Sequence, residues 1–302
     1  MLSVLNIIYN IIAPIFIIVG LAVLVGYRFS LDPRVLSRVI FYLFSPFLII
    51  GSIAKSDLRA NEIGLIALMI VLFYMLMALI SWLLARLFRF DRQLESAFML
   101  SVVVINAGNY GLPLSEFAFG QTGLQRAVVF FVITAILANT LGVFLASRGT
   151  ASIKRSLFNM VTVPLPYATA LGLVINFGYF TLPLPLERAI TLLGQAAVPA
   201  MLVVLGLQLA RVSIRGRWKP IALATAARLV VAPLVAFPLA ALLGLSGITG
   251  QVVIVQASLP TAVISSILAS EFGADAEFTA AVVFVSTLAS IATLTVLLWL
   301  VM

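Results

Sequence analysis

The sequence contains no histidine and no cysteine. Those two absences together remove disulfides, thiolate nucleophiles, imidazole bases and the usual zinc ligand sets, and few enzyme mechanisms survive them. No cofactor or metal is expected. Charge is scarce as well: Asp, Glu, Lys and Arg make up 9% of the 302 residues, whereas 63% are hydrophobic. That is more apolar surface than a soluble core consumes, so the chain reads as an integral membrane protein whose surroundings are the lipid bilayer. Lipid offers no partner to a backbone N–H or C=O, which restricts spanning segments to helices or closed barrels. Apolar runs of roughly 20 residues with no period-two alternation select helices, giving an all-α polytopic fold. Met1 to Asn10 carries no Lys or Arg and the first apolar run is long enough to span, so no cleavable signal is evident. A net charge of +8 would suggest a nucleic-acid partner in a soluble chain. Here no nucleic acid is expected, and the charge instead asks which side of the bilayer holds the basic residues.

Apolar runs between charged or Pro/Gly-rich breaks give ten expected spans, at 6–26, 36–54, 63–85, 95–119, 126–146, 160–179, 189–210, 220–243, 250–271 and 278–301. With the N-terminus outside, Arg28, Arg34, Arg38, Arg86, Arg89, Arg92, Arg148, Lys154, Arg155, Arg211, Arg215, Arg217 and Lys219 fall in cytoplasmic connections, 13 of the 18 basic residues. Lys55, Arg59, Arg126 and Arg188 fall on the opposite face, and Arg228 lies inside the eighth span. The positive-inside bias then makes both termini external.

The chain also resembles itself. At an offset of 152 residues Pro14 superposes on Pro166, Gly20 on Gly172, Gly26 on Gly178 and Tyr27 on Tyr179. At 153 Pro46 falls on Pro199, Phe119 on Phe272 and Gly120 on Gly273, and at 154 the run AVVF at 127–130 meets AVVF at 281–284. Five spans per copy force the second copy to enter the membrane the other way round, an inverted repeat. The expected units are residues 1–147 and 159–302, joined by a charged cytoplasmic hinge at 148–158.

Inverted repeats place their substrate near the midplane, where discontinuous helices line a cavity. The fourth span carries NAGNYGLPL at 106–114, about 11 residues past Glu95, which at about 1.5 Å per residue is near mid-bilayer. Pro113 lacks an N–H, and Gly108 and Gly111 tolerate backbone angles that break a helix. These three and Pro260 read as the geometry of the break. Asn106 and Asn109 either contact a substrate or cap the broken helix. The ninth span has its own break in QASLPTAVISS at 256–266, where Gln256, Ser258 and Thr261 are expected to line the same cavity, unless the hydroxyls bond only their own backbone. Two half-helix N-termini at the midplane favour an anionic group. Glu116 is either a proton or cation coupling site or a group near the outer surface. Arg228 has three readings: a partner for a substrate carboxylate, an occupant of a cation site in the crossover, or a side chain snorkelling to the interface. Glu271, Asp275 and Glu277 read as a solvated cytoplasmic loop, and Gln195 and Gln208 as packing or dimer contacts in the seventh span.

NAGNYGLPL, with SLPTAVISSILASEFG at 258–273 and the external C-terminal span, resembles the auxin efflux carrier family over essentially the whole chain. Without the long cytosolic loop of many plant members, it is closer to the bacterial branch. The resemblance implies the ten-helix fold of bile acid sodium symporters, with spans 1, 2, 6 and 7 as a scaffold and spans 3–5 and 8–10 as a transport domain whose fourth and ninth helices cross at prolines. It also implies a homodimer, a bacterial inner-membrane location and organic-anion cargo, indole acetate in plants and dicarboxylates such as malate and malonate in bacterial relatives.

The leading reading is therefore a secondary transporter of small organic anions. A sodium- or proton-coupled symporter stays open. An antiporter is disfavoured because only Glu116 lies near a break, and an aspartyl intramembrane enzyme because only Asp275 comes near a span. A membrane sensor on the same fold is the remaining alternative.

Overall fold

The structure, a computed structural model, describes residues 3–147, 163–178, 182–212 and 217–302. The expected hinge at 148–158 lies outside the described residues, as do Arg148, Lys154, Arg155, Arg215 and Tyr179. The described chain is helical and contains no β-strand. Seven of its helices are long and apolar enough to cross a membrane: α1 (Val4–Phe29), α2 (Pro33–Ala54), α3 (Ala60–Leu87), α5 (Ala107–Ala146), α7 (Leu184–Leu209), α8 (Trp218–Leu242) and α11 (Ala276–Val301). Four shorter ones complete the set, α4 (Arg92–Val103), α6 (Leu165–Asn176), α9 (Gly247–Ala257) and α10 (Ile264–Glu271).

Local chemistry sets the helix ends. Asp91 caps α4, its carboxylate accepting from the Gln93 and Leu94 N–H groups at 3.1 and 2.9 Å, and these bonds hold its pKa below the ordinary aspartate value. Asp275 caps α11 through the Phe278 N–H at 2.9 Å, which gives one member of the expected acidic loop a structural task. α5 is not one straight rod. At Gly120 the backbone turns to φ 64°, ψ −158°, which only glycine adopts readily, and the helix kinks there. Gly123 then lies so close to the Ser115 carbonyl that a Cβ there would come within 3.0 Å of it. Gly273, which the internal repeat pairs with Gly120, also has positive φ, at 74°.

Among the described residues wide π-type turns occur at five positions, and proline explains four of them. The turns at 8–12, 40–44, 107–111 and 227–231 each end two residues before a proline, at Pro14, Pro46, Pro113 and Pro233. A proline cannot donate to the carbonyl four residues back and its ring crowds that carbonyl, so the preceding turn widens by a residue. In the fifth, at 138–142, Asn139 and Thr140 donate to the carbonyls of Ala135 and Ile136 at 2.8 and 2.9 Å, so polar side chains enter the helical ladder.

α7 packs along α1 and α2, and α6 lies against α2, while α3–α5 and α8–α11 pack on one another. In lipid, apolar burial alone does not draw helices together, so close backbone approach matters more. Gly206 of α7 supplies it: a Cβ there would collide with the Val19 carbonyl and lie 2.6 Å from the Ala22 Cβ of α1. Gly172 and Gly194 do the same against Ile53 and Leu48 of α2. Gly206→Val is therefore expected to pry α7 from α1 and destabilise the fold by about 1–3 kcal/mol or more. Thermal melting of the purified variant measures this, and an unchanged midpoint would contradict the packing.

Candidate functional site at the helix crossover

Two breaks meet in the middle of the fold. The first separates α4 from α5 at Val104–Asn106, and the second separates α9 from α10 at 258–263. The first break falls ahead of the glycines and proline expected to make it. Val102, Val103, Val104 and Ile105 are four β-branched residues in succession, stiff side chains that fit an extended backbone well. Val104 accordingly sits at φ −86°, ψ 117°. Pro113 lies past the break, two residues after the wide turn 107–111 with which α5 opens, so it widens that turn and does not end α4. At the second break Pro260 biases the residue before it toward extended backbone.

The extended segments pair as an isolated antiparallel bridge between Ile105 and Thr261. The Asn106 N–H donates to the Pro260 carbonyl at 3.1 Å and the Ala262 N–H donates to the Val104 carbonyl at 3.0 Å. Side chains complete the crossing. The Thr261 hydroxyl donates to the Ser101 carbonyl at 2.6 Å, and its N–H donates to Ser286 Oγ at 3.2 Å. Arg228, fully buried within the wide turn of α8, donates through Nε to the Leu259 carbonyl at 2.7 Å, through Nη1 to the Val102 carbonyl at 3.1 Å and through Nη2 to the Ala257 carbonyl. Its guanidinium also lies 5.7 Å from the centre of the Phe73 ring. Arg228 thus stays in the crossover and does not snorkel.

The remaining expected residues divide. Gln256 donates to Ser115 Oγ at 3.0 Å while its Oε1 has no partner, and the Asn106 Nδ2, in a side chain 4% exposed, has none either. The absence of a Cβ at Gly111 allows α9 this close: a methyl there would strike Gln256 Oε1 and lie 2.5 Å from Leu259 Cδ1. A Cβ on Gly108 would fall 2.8 Å from the Phe131 ring. Ser258 bonds its own helix, to the Ile254 carbonyl at 2.7 Å. Asn109 is half-buried on the wide turn 107–111, which packs against α7.

Next to the crossover a cleft of about 610 Å³ opens between α1, α2 and α7 on one side and α5 on the other, a size suited to a small ligand. Glu116, Gln121 and Gln125 of α5 line it, facing Ser52 and Lys55 of α2 and Thr191 and Gln195 of α7. Asn106, Gln256, Ser258 and Thr261 are buried in the packing and do not line it. Gln121 donates to Glu116 at 2.9 Å, and at the mouth Gln125 donates to the Lys55 carbonyl at 3.1 Å. Gln195, read from the sequence as packing, is a cleft residue. Its signal was an amide one turn before Pro199 in an otherwise apolar helix.

The sequence reading also missed a charged cluster. Arg126, 7% exposed, contacts Asp57 at 3.1 Å, Glu62 at 3.3 Å and Thr249 at 2.8 Å, and the Thr249 hydroxyl donates to Glu62. It joins the start of α3, the second arm of α5 and the first turn of α9. The sequence places Arg126 on the external face at the start of the fifth span; the helical arm restarts directly after Gly120, which puts Arg126 more than a turn inside it.

A family model described as membrane transport protein matches residues 7–299. Among curated relatives, an uncharacterized transporter of Methanothermobacter thermautotrophicus is 29% identical over 271 residues, 87% of this chain and 87% of the relative. One from Methanocaldococcus jannaschii is 26% identical over 298 residues, 94% and 96% of the two chains. A protein of Rhizobium meliloti named "Putative malonate transporter" is 29% identical over 204 residues, 65% and 64% of the two chains.

The Arg126 guanidinium lowers the Asp57 pKa chiefly by hydrogen bonding. A carboxylate with a depressed folded pKa contributes stability that is full above its unfolded value, about 4, and is lost as pH falls through the folded value. Asp57→Asn is expected to flatten the acid limb of a melting-versus-pH curve below about pH 4. The effect is small because the Asp57 side chain is 70% exposed. An unchanged acid limb would count against the pair.

Proposed function

The chain belongs to the membrane transport protein family, and on that premise we propose that it is a secondary carrier of small organic anions working by alternating access at the crossover. Membership and the transporter names of its relatives mark it as a multi-pass membrane transporter and not an enzyme, in keeping with the resemblance to auxin efflux carriers. The substrate class is the proposed step. The observation that carries it is the reciprocal bridge of two broken helices, Asn106 to Pro260 and Ala262 to Val104, which leaves the half-helices starting at 107 and 264 with their N-termini at one level. Helix N-termini favour anions, and the unpartnered, buried Asn106 Nδ2 beside the first of them is a free donor. The malonate name of one relative suggests small carboxylates as the first cargo to try.

In this reading the chain makes ten passages, α4 with the first arm of α5 and α9 with α10 each counting as one, arranged as two inverted five-helix repeats. The left-handed glycines at 120 and 273, which the repeat pairs, support it. α1, α2, α6 and α7 form a scaffold, and the other helices form a transport domain that moves against it along the cleft. Asn106 and Asn109 contact the anion, Gly108, Gly111, Pro113 and Pro260 shape the crossing, and Gln256, Ser258 and Thr261 hold it. Both termini face outside a bacterial inner membrane, and the scaffold pairs into a homodimer. A second reading, a proton-coupled symporter, is favoured by one observation: Glu116 lines the cleft.

Counterflow in proteoliposomes tests the carrier. Vesicles loaded with unlabelled malonate are expected to accumulate labelled malonate, and Asn106→Ala or Asn109→Ala to reduce the rate about tenfold or more, the equivalent of one charge-assisted hydrogen bond. Folded protein that exchanges none of malonate, malate, succinate or indole acetate would overturn the proposal. A rate that does not respond to pH in Glu116→Gln, while wild type does respond, would favour the proton-coupled form.

A further inference from the structure

Arg228 combines three properties not found together at another described position. It is fully buried, it pairs with no carboxylate among the described residues, and all three of its hydrogen bonds go to main-chain carbonyls of the crossover. Those carbonyls are not arbitrary. Val102 lies in the last turn of α4, Ala257 ends α9 and Leu259 belongs to the linker that follows. Helix C-termini carry orphan carbonyls and partial negative charge, so two such ends converging on one point create a site for a positive charge. Small monovalent cations are held in broken-helix carriers by the same kind of groups, unwound backbone carbonyls and half-helix C-termini.

We propose that Arg228 is a tethered counter-ion: its guanidinium fills the place a coupling cation would take, so the carrier needs no sodium to assemble its crossover. Its neighbours complete the coverage of the α4 end, since the Thr261 hydroxyl takes the Ser101 carbonyl, the Ser265 hydroxyl takes the Leu100 carbonyl at 3.4 Å and the Ala262 N–H takes the Val104 carbonyl. Hydration of the charge is replaced by these carbonyls and by the Phe73 ring face. With the position held by a side chain, the carbonyl geometry is the same whether or not the membrane carries an ion gradient. The functional part of this inference rests on the carrier reading; the structural part does not.

The test uses purified full-length protein, melted in sodium chloride and in choline chloride at equal ionic strength. A bound ion stabilises the folded state by mass action. Wild type is expected to melt at the same temperature in both salts, and a sodium-specific rise would overturn the proposal. Arg228→Lys, which keeps the charge and loses the fork, is expected to melt about 5 °C or more lower, and Arg228→Met lower still or not to fold. Either variant melting with wild type would overturn it. Counterflow of labelled malonate in the same two salts separates the two claims. Equal rates, within about two-fold, support the tethered ion, whereas a dependence on sodium of about five-fold or more, the scale of ordinary site coupling, sinks it and leaves the carrier standing. No exchange in either salt sinks the carrier and leaves the melting result to decide the role of Arg228.

Discussion

A helix broken among buried side chains frees carbonyls that have neither solvent nor the next helical turn to bond, and that constraint organises this structure. Each unsatisfied buried carbonyl costs about 1–3 kcal/mol, and several are freed where α4 and α9 end. The reciprocal bridge between Ile105 and Thr261 satisfies some of them, and Arg228 takes three more. Three hydrogen bonds to main-chain carbonyls, each to a charged group and so worth about 1.5–3 kcal/mol, together with the Phe73 ring take the place of the hydration that the guanidinium gives up.

The same economy of backbone bonds runs through the long helices. Proline widens four turns without ending the helix, and two of those wide turns, 107–111 and 227–231, carry Asn109 and Arg228 into the crossover region. A wide turn rotates the residues after it relative to those before, so the prolines aim side chains as well as bend the chain. Glycine serves a different purpose. At positions 111 and 206 it removes the atom that would hold two backbones apart, once at the crossing and once between α1 and α7.

The cleft and the crossover are built from different residue types. The crossover is buried, its polar side chains paired with main chain or, at Gln256 and the Thr261 N–H, with Ser115 and Ser286, except for one amide nitrogen on Asn106 and one oxygen on Gln256. The cleft is open, with Glu116, Gln121, Gln125 and Gln195 on its walls. Ser115 joins the two, bonded to Gln256 and one residue from Glu116.

Much of this was legible without coordinates. Apolar runs specify helices because lipid leaves an open backbone no alternative, and the sequence places both breaks to within a few residues, although the first falls in the β-branched run before NAGNYGLPL and not at its glycines and proline. The residue types at the crossing could also be named, since only a few side chains serve a freed backbone. What the sequence could not decide were matters of distance. Arg228 had three readings of equal standing, and only the packing of α8 against α4 and α9 brings its guanidinium to carbonyls 126 and 31 residues away in the chain. Arg126 counted only as an external charge at the start of the fifth span, and the packing of the helix beyond Gly120 is what brings it to Asp57, Glu62 and Thr249. Gln195 became a cleft residue because α5 stands opposite it. By itself the sequence determined which groups need partners, because that follows from bonding and solvent; which partners they found was decided by the tertiary structure, because it depends on where helices far apart in the chain come to lie.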